Sequence, residues 1–236
     1  MIDDDDERDL RSYGRKRGRK MSPRQCALLA EVLPRIAIDL TSKPGSDPSC
    51  RRHASGMGLT PREIWLEIGF GGGEHLVWQA QQNPHTLLIG CEPYEDGVVK
   101  VLARIEGDQI GNIRIHADDA RPLLRWLPVA FIGRVFILFP DPWPKKRHAK
   151  RRLVALPLLD LLARVMQPGA ELRIATDIGD YARTTLLAIT RHPAFAWPAA
   201  SPADWRERAT DWPETRYERK AAAAGRVRYY FRFFRI

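Results

Sequence analysis

Between residues 63 and 191, short apolar runs alternate with longer stretches whose apolar positions recur every three or four residues. The runs at 64–68, 86–91, 113–117, 134–139 and 171–175 read as strands buried on both faces, as parallel sheets require. The stretches at 74–82, 94–106, 120–126, 152–166 and 181–191 read as amphipathic helices. Strand–helix alternation at this spacing predicts a doubly wound, mostly parallel α/β sheet. The end of the chain differs. Residues 205–214 carry no periodicity, 215–224 predict a helix, and 226–235 (RVRYYFRFFR) predict a long strand whose direction the pattern leaves open.

Residues 1–60 lack that texture. An acidic run at 3–7 gives way to a basic, glycine-interrupted run that includes Arg8, Arg11, Arg15, Lys16, Arg19 and Lys20. A short apolar segment follows at 27–38, and 41–58 is rich in Pro, Ser and Gly. This predicts a basic extension and flexible linker over 1–60, joined to one compact domain over 61–236. The basic run reads either as a solvated tail or as an arm that holds RNA. Charge strengthens the second reading: 38 Lys and Arg against 29 Asp and Glu give a net charge of +9, which points to a nucleic-acid partner. No apolar run reaches the length of a membrane span, and the start of the chain is acidic, unlike a secretory leader. Cys26, Cys50 and Cys91 form no CxxC pair, so a reducing cytoplasm is expected and no structural metal.

The first strand runs into Glu67-Ile68-Gly69-Phe70-Gly71-Gly72-Gly73-Glu74. A dinucleotide fingerprint would place a third glycine where Glu74 stands, and an acid there repels a pyrophosphate. The loop suits a cationic, phosphate-free cofactor such as S-adenosylmethionine, with Gly69 and Gly71 allowing close backbone approach. Glu92, closing the second strand, can accept from ribose hydroxyls, and Asp119, after the third, from an adenine amino group.

The densest signal is at 136–152, FILFPDPWPKKRHAKRR. An apolar strand stops at three prolines that forbid both helix and ladder, fixing Asp141 beside Trp143. The cations Lys145, Lys146, Arg147, Lys150, Arg151 and Arg152 follow with no acid among them. A carboxylate and a ring at a strand's carboxyl end, under a positive field, outline a site for a base of nucleic acid. If helix 152–166 begins there, cations in its first turn oppose the macrodipole and ask for an anion to offset them.

With LEIGFGGG (66–73), GCEP (90–93), DDA (118–120), the block at 139–152, ATD (175–177) and TRYE (215–218), the chain resembles the bacterial tRNA (guanine-N7-)-methyltransferase family of class I S-adenosylmethionine-dependent methyltransferases. The resemblance runs from about residue 59 to the end. It implies a Rossmann-like sheet of seven strands with an antiparallel last strand. It implies cofactor contacts at Glu67, Glu92, Asp119 and Asp141, with Asp141 also catalytic. It implies substrate contacts at Lys145, Asp177, Thr215, Arg216, Tyr217 and Glu218, to which the charge pattern adds Arg147. The substrate is then tRNA, and the product carries 7-methylguanosine, in the variable loop. Two readings compete: a methyltransferase of the same fold acting on an exocyclic amine, whose DPPW-type loop is superficially like PDPW, and a non-catalytic RNA-binding protein on this fold. Monomer and homodimer are equally compatible with the sequence.

Overall fold

A computed structural model describes residues 16, 18, 20–41 and 61–236. Most of the basic arm, the linker at 42–58 and Cys50 lie outside the described residues. Seven described strands form one sheet: β1 (Glu63–Ile68), β2 (Thr86–Cys91), β3 (Ile113–His116), β4 (Ile132–Leu138), β5 (Met166–Thr176), β6 (Phe195–Ala196) and β7 (Tyr229–Arg235). Their order is β3-β2-β1-β4-β5-β7-β6. β1 to β5 are parallel, and β7 runs antiparallel to both β5 and β6. The doubly wound fold and its antiparallel last strand are therefore as expected. β6, only two residues long, left no periodic signal.

Alternation along β1 shows how the sheet is buried. Ile64, Leu66 and Ile68 face one core with Leu123 and Leu124 of α5 (Ala120–Trp126), Leu158 and Leu162 of α6 (Leu156–Val165), and Tyr181 of α7 (Gly179–Thr190). Trp65 faces the other, with Leu76 and Val77 of α3 (Glu74–Gln82) and Val98 and Leu102 of α4 (Glu95–Gly107). Each such side chain contributes about 2 kcal/mol of burial.

Part of the N-terminal extension joins the second core. Its helix α1 (Pro23–Ala27) starts at a capping box in which Ser22 Oγ accepts from Gln25 N and Gln25 Oε1 from Ser22 N. Through a π-helical turn (Leu28–Val32) it continues into α2 (Leu33–Ile36). Leu28 and Val32 are buried, and Ala37 bridges to Ile115 of β3. No helix among the described residues is long and apolar enough to cross a membrane.

One boundary needs correction. The basic tract is not the first turn of the following helix. Lys146–Arg151 forms a separate 3-10 helix, Arg152 is extended, and α6 begins at Leu156 with Pro157 in its first turn, where proline is favoured. The cations therefore do not oppose the α6 dipole, and that part of the electrostatic argument falls. Two further helices complete the chain: α8 (Ala203–Arg206), inside the segment expected to be irregular, and α9 (Arg216–Ala223).

Candidate active site

The carboxyl ends of the central strands open on a cavity of about 550 Å³, within the size range of small-ligand sites. Its floor is the glycine loop after β1, where Gly69 and Gly71 have φ of 75° and 55°, values that carry little cost only for glycine. The loop is pressed from behind by α4: a Cβ on Gly97 would lie 2.3 Å from the carbonyl oxygen of Gly71.

Each wall carries an acid, and each acid is held differently. Glu92, after β2, accepts from Gly71 N through Oε2 (2.7 Å) and from Tyr94 N through Oε1 (3.0 Å). Burial pushes its carboxyl above the ordinary value, and the Asp141 and Glu67 charges act in the same direction, against the two amides. Asp119, after β3, caps α5 by accepting from Arg121 N, and its two oxygens also meet the Arg121 guanidinium at 2.8 and 2.7 Å. Its neighbour Asp118 accepts from Lys16 Nζ at 2.9 Å, while the Lys16 carbonyl accepts from Glu95 N. The basic segment thus reaches the rim of the cavity.

Asp141, after β4, is exposed and accepts from no described residue. Its loop is held instead through the backbone. Phe139 and Trp143 have φ of 51° and 43°, left-handed values that are costly for residues with a side chain, and they bracket Pro140-Asp141-Pro142. Phe139 N donates to Ala175 O at 2.7 Å. Arg152 closes the loop from below, donating to Pro142 O (3.1 Å), Thr184 Oγ1 (2.9 Å) and Asp180 Oδ2 (2.5 Å). Tyr181, whose OH accepts from Val154 N, lies under the same segment, and burial pushes its hydroxyl up to about 12. Trp143 packs edge-on against His148 with the Arg151 guanidinium 5.0 Å from its ring centre. Lys145 and Arg147 remain exposed. Desolvation and the charges of Arg151, Arg147 and Lys145 hold the His148 imidazolium below its usual pKa.

Of the remaining expected site residues, Tyr217 is part of the cavity lining, whereas Asp177, Thr215, Arg216, Glu218 and Glu67 are not. Tyr217 lines it and leans over the glycine loop, 3.3 Å from where a Cβ on Gly71 would stand. Thr215 caps α9 by accepting from Glu218 N, and Arg216 N donates to Glu74 Oε2 at 2.6 Å, which ties α9 to the start of α3. Glu218 is buried. Its Oε1 accepts from Tyr230 OH (2.6 Å) and Arg208 Nε (3.0 Å), while Oε2 has no partner among the described residues. Asp177, just after β5, accepts from Arg226 Nε at 2.6 Å. Glu67 does not line the cavity. It lies on the opposite face of β1, with Oε2 2.8 Å from His75 Nδ1. Gln79, oriented by its bond to Asp211 O, donates to His75 Nε2, so the His75 proton sits on Nδ1 and is donated to Glu67. Arg121, Tyr181 and Arg208 left no signal as site residues, because each acts through another residue: Arg121 through Asp119, Tyr181 through Val154 N and Arg208 through Glu218.

The donor set fits S-adenosylmethionine. Glu92, Asp119 and Asp141 offer acceptors for amino and hydroxyl groups, and space is open above Gly69. The exposed Glu74 at the α3 N-terminus still disfavours a pyrophosphate.

Comparison with known proteins agrees with this geometry. Residues 61–231 match a family described as "Putative methyltransferase". A tRNA (guanine-N(7)-)-methyltransferase of Rhodospirillum rubrum is 46% identical over 230 residues, 96% of this chain and 88% of its own. The protein of the same name from Ruegeria pomeroyi is 47% identical over 227 residues, 95% and 94% of the two chains. Among solved structures, an antibiotic-related methyltransferase superposes with TM-score 0.54 at 15% identity, covering 84% of this chain and 99% of that one. A variant of the 16S rRNA (adenine(1408)-N(1))-methyltransferase from Catenulisporales acidiphilia gives 0.52 at 17%, covering 80% and 91%. At such identities the structures speak for the fold alone.

Proposed function

Because this chain belongs to the tRNA (guanine-N(7)-)-methyltransferase family, we propose that it is a cytoplasmic enzyme that methylates N7 of a guanosine in the variable loop of tRNA. The observation that carries the reading is Asp141: a carboxylate with no described partner, locked in a strained proline loop, on the cavity that Glu92 and Asp119 also line.

S-adenosylmethionine supplies the methyl group as an electrophile on sulfonium. Glu92, Asp119 and the backbone at Gly69 and Gly71 hold it, and Tyr217 and Trp143 flank the cavity around it. Guanine N7 is a free lone pair with no proton to lose, so no residue need act as a general base. What the protein must do is orient the base and accept the positive charge that develops on it. A carboxylate held in a fixed loop, with no partner among the described residues, does the second without reorganising, and positioning supplies much of the barrier reduction. Asp141 takes the role next to the reacting atoms. Asp177, just after β5, supplies an acceptor for the N1–H and N2–H₂ edge that distinguishes guanine from adenine, whereas Glu218, buried against Tyr230 and Arg208, acts by fixing α9 against β7. Thr215 and Arg216 fix the helix that carries Tyr217 and Glu218. Lys145 and Arg147 hold phosphate. Glu67 acts indirectly, through His75, by bracing β1 against α3.

The test is transfer of labelled methyl from S-adenosylmethionine to unmodified tRNA, followed by reduction and aniline cleavage. Cleavage at one variable-loop guanosine is expected, and Asp141→Ala should bind cofactor but transfer nothing. Label incorporated without cleavage would move the reaction to another atom, such as an exocyclic amine. Turnover by Asp141→Ala near the parent rate would remove that residue from the chemistry.

A further inference from the structure

Beyond the catalytic cavity, a second pocket of about 400 Å³ opens between Arg206, Arg226 and Arg228, floored by Ala222 and Gly225. We propose that these three arginines form a subsite for a backbone phosphate of the tRNA near the target guanosine. The inference rests on the tRNA reading above and extends it to residues outside the catalytic cavity.

Three observations carry it. The first is position. β7 is antiparallel to β5, with Tyr229 opposite Thr176. The start of β7, not its end, therefore sits on the rim where β4 delivers Asp141 and β5 delivers Asp177. With strands roughly 4.8 Å apart, the start of β7 lies about two strand spacings, roughly 10 Å, along that rim from the end of β4.

The second is preorganisation. Just past α9, Gly225 has φ of 64°, and Arg226 N donates back to Ala221 O at 2.9 Å, so the chain turns sharply onto the rim. Arg226 is held by Asp177 through Nε, and the Arg206 guanidinium stands 4.9 Å from the ring centre of Tyr229.

The third is charge. Asp177 neutralises one arginine. The C-terminal end of α9 supplies roughly half an elementary negative charge. Two of the three charges are thus still largely uncompensated, since neither Arg206 nor Arg228 has a carboxylate partner among the described residues. An arginine fork matches phosphate geometry, so the ligand class follows from the donors.

Replacing both Arg206 and Arg228 by Gln tests this without touching the residues assigned to the base or the cofactor. We expect the KM for tRNA to rise about 10-fold, with kcat within about twofold and cofactor affinity unchanged. The slope of log(kcat/KM) against log[salt] should shrink by about one to two, as loss of phosphate contacts requires. Lys at both positions should restore part of the KM and of the slope. An unchanged KM and slope would overturn the subsite. So would a fall in kcat at constant KM, which would make the arginines mere supports for Asp177. Should the double variant melt early, Arg206→Glu, at an exposed position, carries the same reading. The parent protein run in parallel separates the two claims. If it fails to yield aniline-cleavable tRNA, the tRNA reading fails; if only the variants behave like the parent, the subsite alone fails.

Discussion

Glu92 uses both carboxylate oxygens on backbone amides, those of Gly71 and Tyr94, whereas Asp141 accepts from no described residue. The first shapes the floor of the cavity and the second is left for a ligand. Burial raises the Glu92 carboxyl pKa, and the sign of the consequence can be worked out. In the empty protein, this group's contribution to stability is complete below the ordinary carboxylate value and is lost as pH rises through the raised one. Binding runs the other way, since ribose hydroxyls need the ionised acceptor. Calorimetric affinity for S-adenosylmethionine should therefore fall as pH drops through the raised value. Glu92→Gln should bind about 10-fold more weakly at neutral pH and show a flatter profile. A variant with the parent's slope would assign the titration to another group. Asp119 and Asp141 were legible as acids at strand ends, where open sheets bind ligands. Glu67 also follows from a strand, but its parity places it on the far face, against His75. Glu218 is expected from the resemblance as a substrate contact, and only the folded chain shows it buried between Tyr230 and Arg208.

At the scale of elements, the segment from Phe139 to Arg152 is held by its two ends. Two left-handed residues set its exit from β4, and Arg152 fastens the return to Pro142 O and α7. In sequence Arg152 is one more cation in a tract of six, so it reads as a phosphate contact. Its side chain is only 8% exposed, which leaves it little access to RNA. Arg152→Leu should lower kcat about 100-fold, the scale expected when a catalytic group is misplaced by about 1 Å, with little change in the KM for tRNA. A rise in KM at constant kcat would return Arg152 to the phosphate-binding set. The strands and most helices were legible because burial on both faces imposes period and length. The start of α6 and the 3-10 helix were not. A run of polar cations carries no hydrophobic period, and the left-handed φ at Phe139 and Trp143 runs against the extended backbone that a following proline favours, so it is set by tertiary contacts such as Phe139 N to Ala175 O.

Across the whole molecule, a partly buried ion network joins the sheet to the segment that leads into α9. Glu171 receives Arg173, Arg134 and Arg232, and Arg173 forms a two-pronged pair with Asp211 at 2.7 Å on each arm. Hydrogen bonding from Arg173 first, and the charges of Arg173 and Arg134, hold the Asp211 carboxyl below its usual pKa despite partial burial. A depressed carboxyl stabilises above its unfolded value and loses that contribution as pH falls through the folded one. Asp211→Asn should therefore lower the melting temperature at neutral pH. Because Asp211 is half exposed, a loss of about 1–2 kcal/mol is expected, or roughly 2–8 °C at this chain length. The gap between the proteins should close in acid. A constant gap across pH would mean that shape, not charge, matters at Asp211.

The strand order also has a consequence for synthesis. β7 is the last of the described strands in sequence, yet it lies between β5 and β6 and brings Phe231 and Phe233 into the core. Until residues 229–235 have left the ribosome, β5 presents a bare edge, and an open edge invites pairing with other chains. Arg226 and Arg228 reach the rim through the same insertion. A nascent chain can thus assemble its glycine loop and proline loop first, but the rim beside Asp177 is completed only once residues 226–235 have emerged.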